Sequence, residues 1–415
     1  MSNKVSTKRL GDIVNFKRGY DLPSYNRRDG QYPILSSSGI SGYHSEYKVE
    51  GEGLVTGRYG TLGEVYYING KYWPHNTALY VTDFKGNYPK YVYYLMKCLG
   101  NLKTSDKSTV PGINRNDLHE IVIPYIEPKF QQKIAAVLST LDAKIELNQR
   151  INAELESMAK TLYDYWFVQF DFPNEKGMPY KSAGGKMVWN EELKREIPLE
   201  WEVKSLGSIE NNIVTGKTPP TNNPEFYDGN VPFITIGDIR GNMHVINTEL
   251  KLSQAGADFQ KNKYIPKGSI CVTCIASPGL IGFTTQDSQT NQQINSIVVQ
   301  KEENRTYLYF ALNDYFKFSK GAKTGNTFSN MNKGDFESIN LVYPLEEFLL
   351  SFDKHTKSSI EQILTLLKET QTLTELRDWL LPMLMNGQVN VEDKEDVSER
   401  TALLALDGSN FLVSL

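Results

Sequence analysis

Two long stretches of the chain place apolar side chains at alternating steps of three and four. From about Pro128 to Phe167 the seam is Ile134, Leu138, Leu141, Ile145, Leu155, Ala159, Leu162 and Trp166, with no Gly or Pro after Pro128. This spacing predicts a long helix with one face turned to a partner helix. Pro128 suits a first helical turn. Asn148 and Asn152 fall on the same seam, where polar side chains set register at a cost in stability. At 1.5 Å per residue the helix is roughly 55 Å long, more than a compact domain needs. It reads as a spacer. A second seam runs from about Leu345 to Met385 through Phe348, Phe352, Ile360, Ile363, Leu367, Leu373, Leu376 and Leu380, interrupted by Thr356, Ser359 and Thr370. Pro382 and Gly387 mark its expected end. Each helix follows a strand-like run closed by proline (IVIP to Pro124, LVYP to Pro344). Each ends in related residues, LYDYWF at 162–167 and LRDWLL at 376–381.

The segments before these helices have a different pattern. Short runs of Val, Ile, Tyr and Thr, broken by Gly, Asn and Pro, predict strands and turns at 32–39, 54–68, 78–83 and 119–124. The same pattern predicts strands at 231–239, 268–275, 280–285 and 294–299 in the second half. PKYVYYLMKCL (89–99) and RTYLYFALNDYF (305–316) have helical spacing. LGDI at 10–13 answers LGSI at 206–209, Thr109 answers Thr327 and Asp117 answers Asp335. The halves agree at their ends and differ in length between them, as a duplication with a divergent interior would. The expected fold is α+β: two mixed α/β globular domains, each followed by a long helix, with the helices packing as an antiparallel coiled coil. The expected layout is domain 1 at 1–126, helix 1 at 127–168, a linker at 169–204, domain 2 at 205–344, helix 2 at 345–386 and a tail at 387–415. Trp189 and Trp201 argue for an ordered linker that covers them. In the tail, VEDKEDVSER reads as solvated, and LLALDGSNFLVSL as a docking segment or a frayed end.

Composition narrows the function classes. Forty per cent hydrophobic and 23% charged residues are ordinary globular values. No apolar run is long enough to span a bilayer, MSNKVSTKRL is not a signal peptide, and three cysteines argue against a disulfide framework. The expected location is cytoplasmic, with no membrane partner. A net charge of −4 leaves nucleic-acid binding open, because a local basic patch suffices. Catalytic constellations are missing. Gly216-Lys217-Thr218 lacks the first glycine of a phosphate loop, since Asn211 stands there. Cys271 and Cys274 sit three apart in an apolar strand and face opposite ways, and the five histidines lack ligand spacing. Asp238, Glu249 and Lys251 match a nuclease only loosely. Asn222-Asn223-Pro224-Glu225-Phe226 lacks the second proline of a methyltransferase motif. Neither a catalytic nor a metal site is expected, which leaves binding.

Basic and amide side chains recur in the loops of both halves. Lys17, Arg18, Tyr20, Arg27, Arg58, Tyr59, Asn76, Thr77, Lys107, Asn114 and Arg115 are candidate DNA contacts in the first. Lys217, Thr218, Arg240, Asn291, Gln292, Gln293, Lys323, Asn326 and Asn332 are those in the second. Lys and Arg serve phosphates and guanine edges, and Asn and Gln pair bidentately with adenine.

Together these features resemble the DNA-specificity subunit of type I restriction–modification systems. The resemblance rests on the LG-D/S-I opening, a G-x-I-G-like turn (Gly60 to Gly63; Gly279 to Gly282), an NQQ-like segment and the proline before each helix. The NQQ-like segment is Thr290-Asn291-Gln292-Gln293 in the second half; the first half departs from it with His75-Asn76-Thr77-Ala78. The resemblance implies two target-recognition domains, each reading one half of a bipartite, asymmetric site in double-stranded DNA. The helices would set the spacer and dock two methyltransferase subunits and, optionally, two restriction subunits. It also implies a chain with no enzyme activity of its own inside an adenine-N6 methyltransferase and ATP-dependent endonuclease complex. S-adenosylmethionine and ATP with Mg would belong to the partners. Alternatives are a recognition scaffold of another methylation-based defence complex and a coiled-coil adaptor that does not bind DNA.

Overall fold

The structure is a computed structural model describing residues 6–58, 64–102, 115–321, 330–393 and 411–414. It divides into two compact units, residues 1–146 with 371–415, and residues 147–370. Both boundaries fall inside the long helices, so each unit holds one recognition domain and part of each helix.

In the first unit, β1 (Ser6–Arg9) pairs antiparallel with β8 (Val122–Tyr125) and closes the domain at its ends. Between them lie β2 (Asn15–Arg18), β3 (Tyr32–Ser36), β4 (Gly39–His44), β5 (Val49–Gly57), β6 (Val65–Pro74) and β7 (Ala78–Asp83). They form one sheet in the order β2-β7-β5-β6-β3-β4. The helix Pro89–Leu102 presents Val92, Leu95, Met96 and Leu99 to a core shared with Phe16, Leu54 and Val81 of the sheet. Ile134, Ala135, Leu138 and Leu141 of the first long helix join that core, as do Leu380, Leu381, Leu384 and Met385 of the second. Asp142 ties the helices here: it accepts from Arg377 Nη1 at 2.9 Å and from the Tyr94 hydroxyl at 2.6 Å. Asn390–Asp393 pairs antiparallel with Phe411–Ser414 in the tail.

In the second unit, a hairpin of β9 (Met187–Asn190) and β10 (Arg195–Pro198) occupies the linker. Then β11 (Glu202–Ser205) pairs with β20 (Asn340–Tyr343), repeating the closure by β1 and β8. The strands between are β12 (Ile213–Thr215), β13 (Tyr227–Ile234), β14 (His244–Val245) and β15 (Leu250–Leu252), followed by β16 (Ile270–Thr273), β17 (Ile281–Thr284), β18 (Gln289–Thr290) and β19 (Ile294–Ile297). Five form a sheet ordered β12-β19-β16-β17-β14 and three form one ordered β15-β13-β18. The order β2-β7-β5-β6 thus recurs as β12-β19-β16-β17. The ten-residue β6 is answered by two short strands, β17 and β18. The helix Glu302–Gly321 packs Tyr307, Leu308, Phe310 and Leu312 into the core with Ile270, Val272 and Phe283.

The first long helix spans Pro128–Tyr163 and ends in a wider turn over Asp164–Val168; the second spans Glu346–Met385. In the second unit they run antiparallel, since Asn148 meets Glu369 at 2.8 Å whereas the Trp166 ring meets Phe352 and His355. Asn148 and Asn152 lie on the seam and are buried. Among the described residues neither amide atom of Asn152 has a hydrogen-bond partner, so it weakens the pair that it helps to align.

Pro382 lies inside the second helix, which runs to Met385 as its seam predicts, and two other expectations from the sequence are corrected. Burial of Leu384 and Met385 outweighs the one backbone bond that proline forfeits, and Gly387, at φ +73°, follows the true end. The run 231–239 is not one strand, because a helical turn over Ile236–Ile239 ends it. Of the linker tryptophans, Trp201 is buried against Phe167, Phe170 and Phe172, but Trp189 is 54% exposed on the hairpin.

Candidate nucleic-acid interface

A glycine corner organises the candidate residues of each domain. At the end of β2 the chain turns at Gly19, where an added Cβ would stand 2.2 Å from the His75 carbonyl oxygen. Gly216, at the end of β12, would place a Cβ 2.1 Å from that of Asn291. Only glycine lets these backbones touch. Gly19 N donates to Ala78 O at 3.1 Å, and Tyr20 N to Pro74 O at 2.8 Å. In the second domain Gly216 N donates to Ile294 O at 3.1 Å, and Lys217 N to Thr290 O at 2.9 Å. The match extends around the corner. His75 N donates to Leu35 O and Arg58 N to Thr77 O; Asn291 N donates to Ile234 O and Cys274 N to Gln293 O. His75-Asn76-Thr77 and Asn291-Gln292-Gln293 are therefore one turn in two sequences.

The side chains brought together differ. In the first domain the Asn76 carbonyl accepts from Arg18 Nε at 3.3 Å and from Arg58 Nη1 at 3.2 Å. Two guanidinium groups converge on one turn. Asp21 accepts from the Asn76 amide and lies 3.8 Å from Arg18, which fixes both. The Thr77 hydroxyl lies 3.0 Å from His75 Nδ1. Burial, reinforced by the Arg27 charge, holds the His75 ring below the usual imidazole pKa. Lys17 is exposed, with its ammonium 5.7 Å from the Tyr20 ring centre. Tyr20 turns inward: its ring packs against Trp73 and Tyr80, and its hydroxyl lies 3.0 Å from that of Tyr80. Arg27 donates to the Ser41 carbonyl of β4 at 3.3 Å, from where its charge acts on His75. Arg115 is exposed and opens the short helix Arg115–Glu120, whose His119 accepts from Phe16 N in β2.

In the second domain the Thr218 hydroxyl donates to the exposed Gln292 side chain at 2.7 Å. Asn291 donates through Nδ2 to Gln293 at 3.0 Å and accepts from Gln293 N at 3.1 Å. Lys217 is exposed beside the Phe259 ring. Lys217, Thr218, Asn291, Gln292 and Gln293 form one cluster of amides with one cation. Arg240 is exposed just past β13 and outside this cluster. Asn332 caps the short helix Lys333–Glu337 by accepting from Asp335 N at 3.0 Å. Tyr59, Lys107, Asn114, Lys323 and Asn326 lie outside the described residues, as does the turn Gly60–Gly63.

The other chemistry considered in the sequence is absorbed by the fold. Asp238 caps its own turn, accepting from Thr235 N and Oγ1 at 2.7 Å each, and holds Glu249 N at 2.9 Å. Cys271 and Cys274 lie in different apolar clusters, and burial pushes their thiols up to about 12 and about 11. They are inert packing groups. Among the described residues no three His, Cys, Asp or Glu side chains converge as metal ligands, and no helix is long and apolar enough to cross a membrane. Composition gave no sign of Asp21, Trp73, Gln260 or Gln289, which reach the corners only through strand pairing.

Comparison with known proteins agrees with this two-domain geometry. The family model for the type I restriction modification DNA specificity domain matches residues 2–157 and 198–376. A type I restriction enzyme specificity subunit (HindI) of Haemophilus influenzae is 34% identical over 336 residues, 69% of this chain and 72% of that protein. The MjaIX specificity subunit of Methanocaldococcus jannaschii is 28% identical over 318 residues, 73% of this chain and 70% of that one. The fold is shared with the crystal structure of an S subunit from M. genitalium, with a TM-score of 0.63 at 17% identity over 92% of this chain and 96% of that one. The chain thus belongs to the type I restriction–modification DNA specificity family and is a sequence-specific DNA-recognition subunit rather than a catalytic one.

Proposed function

We propose that each recognition domain reads one half of a bipartite, asymmetric site in double-stranded DNA, using its glycine corner and adjoining turn. One observation carries this reading: the two domains hold the same turn by matched backbone bonds, yet present an arginine pair in one and an amide cluster in the other. Arginine pairs bidentately with guanine and contacts phosphate; Asn and Gln amides suit adenine. Two different readers on one scaffold suit a site whose halves differ. The paired helices set the spacer. The first has 36 residues, hence a length of about 54 Å, comparable with roughly 16 base pairs at ~3.4 Å each. The helices also seat two methyltransferase subunits, to which two restriction subunits attach in complexes that cleave. S-adenosylmethionine serves adenine-N6 methylation and ATP with Mg serves cleavage, both in those partners.

The test is to express the chain with its methyltransferase partner in a methylation-free host and map modified adenines across the genome. A bipartite motif with an invariant gap is expected. Deleting one helical turn from both helices should change the gap and leave both half-sites intact. Methylation without a split motif, or altered half-sites after that deletion, would overturn the reading.

A further inference from the structure

In both domains, the carbonyl just past the corner glycine is held by a buried side-chain N–H. In the first, Trp73 Nε1 donates to Tyr20 O at 3.4 Å. In the second, Gln260 Nε2 donates to Lys217 O at 2.7 Å. Strand register makes Gln289 the counterpart of Trp73: Trp73 pairs with Ile34 in the parallel β3–β6 ladder, and Gln289 with Phe233 in the parallel β13–β18 ladder. Gln289 is too short to reach the corner as the indole does. Its Oε1 instead accepts from Gln260 Nε2 at 2.7 Å, and its own Nε2 donates to Ala257 O at 2.8 Å. These acceptors fix both amide orientations, and the bonds of this relay branch from one nitrogen: Gln260 Nε2 donates to Lys217 O and to Gln289 Oε1, and Gln289 Nε2 donates onward to Ala257 O.

Gln260 is 3% exposed and Gln289 fully buried. Enclosed N–H groups are costly to leave unbonded, so the Gln260 and Gln289 amide nitrogens hold the carbonyls they reach, while Gln260 Oε1 has no partner among the described residues. We infer that Gln260 with Gln289, and Trp73 in the other domain, are positioning residues for specificity, fixing the angle at which each corner presents its side chains to the bases. None touches DNA. The inference rests on the reading that each domain recognises one half-site. In the second domain the relay acts on Lys217 and, through the next residue, on the Thr218–Gln292 pair. In the first it acts on the segment between Arg18 and Asp21.

The test uses the full chain with its methyltransferase partner and selection from duplexes randomised in both halves. Gln260→Met keeps the length of the side chain and removes its donor. Trp73→Phe keeps an aromatic ring and removes its N–H, so it tests the same device if the first variant fails to fold. For Gln260→Met, discrimination at one or two positions of the second half-site should fall about tenfold, with the first half-site and the spacer unchanged. For Trp73→Phe the loss should appear in the first half-site alone. A uniform fall in affinity with discrimination intact, or wild-type profiles in both variants, would overturn the inference. A wild-type selection without a bipartite motif would overturn the reading beneath it as well, and that outcome is distinct because it needs no variant.

Discussion

The two recognition domains share a backbone and divide the chemistry. Arg58 and Cys274 donate through their main-chain N–H groups to the same turn, but Arg58 sends a guanidinium to Asn76 O, whereas Cys274 packs into the core. Trp73 spans in one step what Gln289 and Gln260 span in two. The β6 ladder is continuous; β17 and β18 break the same path in two. What the fold holds constant is the contact of glycine with carbonyl and the strand order around it. What it leaves variable is every side chain directed outward from that corner. A reader of DNA gains from this division, because half-site preference changes without rebuilding the core.

The strongest way to break the comparison is at the glycines. Gly19→Ala and Gly216→Ala each force a methyl far inside van der Waals contact with a backbone oxygen, at 2.2 and 2.1 Å. Each should cost about 3 kcal/mol of stability by overpacking and abolish recognition of its own half-site, measured by thermal unfolding and duplex binding. If either variant binds as the parent does, the corner is not the reader.

The second difference lies in the buried histidines: His44 of the first domain and His244 of the second are both enclosed, and burial depresses the His244 ring strongly. Burial lowers His244 to about 4, with the Ile360 carbonyl opposing and the charges of Arg305 and Lys368 adding to the depression. The unfolded chain binds the proton first, so stability falls as pH drops from about 6.5 toward 4. At ~1.4 kcal/mol per pKa unit, the full loss is about 3 kcal/mol. Above pH 7 this group contributes no pH dependence. His244→Gln should flatten the acid limb of the second unit's unfolding curve; an unchanged slope would show that another group dominates.

Arg58→Ala sharpens the contrast between arginine pair and amide cluster. It should cost about 2 kcal/mol of DNA affinity, either at one base position of the first half-site or evenly with a shallower salt dependence. Cys274→Ala, at the matching position, should leave affinity within about threefold, since a buried thiol contacts no DNA. Equal effects would mean that the matched backbone does not imply divided roles.

The smallest effect concerns the helices. In the first unit they meet through Asp142 and Arg377 beside an aliphatic core, and in the second through Asn148 and Asn152. Asn152→Leu removes an amide with no partner among the described residues and should raise the second unit's stability by about 1 kcal/mol, read as a higher denaturant midpoint. A fall instead would mean that the amide is satisfied in solution.

Hydrophobic period by itself determined the helices, because seams such as Ile134-Leu138-Leu141 and Ile360-Ile363-Leu367 are local and repeat many times. It also determined the duplication, since LGDI and LGSI occupy the same closing position beneath β1–β8 and β11–β20. Arg18, Arg58, Asn76 and Thr77, like Lys217, Thr218 and the NQQ run, were legible as separate loop candidates because glycine and polar residues gather at turns; that each set shares one corner was not. The end of the second long helix at Met385 was legible, but that of the strand begun at Val231 was not: 231–239 bends because Asp238 caps a turn. Nor could sequence separate Tyr20, drawn into the core by Trp73 and Tyr80, from the exposed Lys17 three positions earlier. Trp73, Gln260 and Gln289 gave no signal at all. Their role depends on which strands pair and in what register, and such contacts join residues distant along the chain. Local pattern carries no record of them; only the tertiary structure decides them.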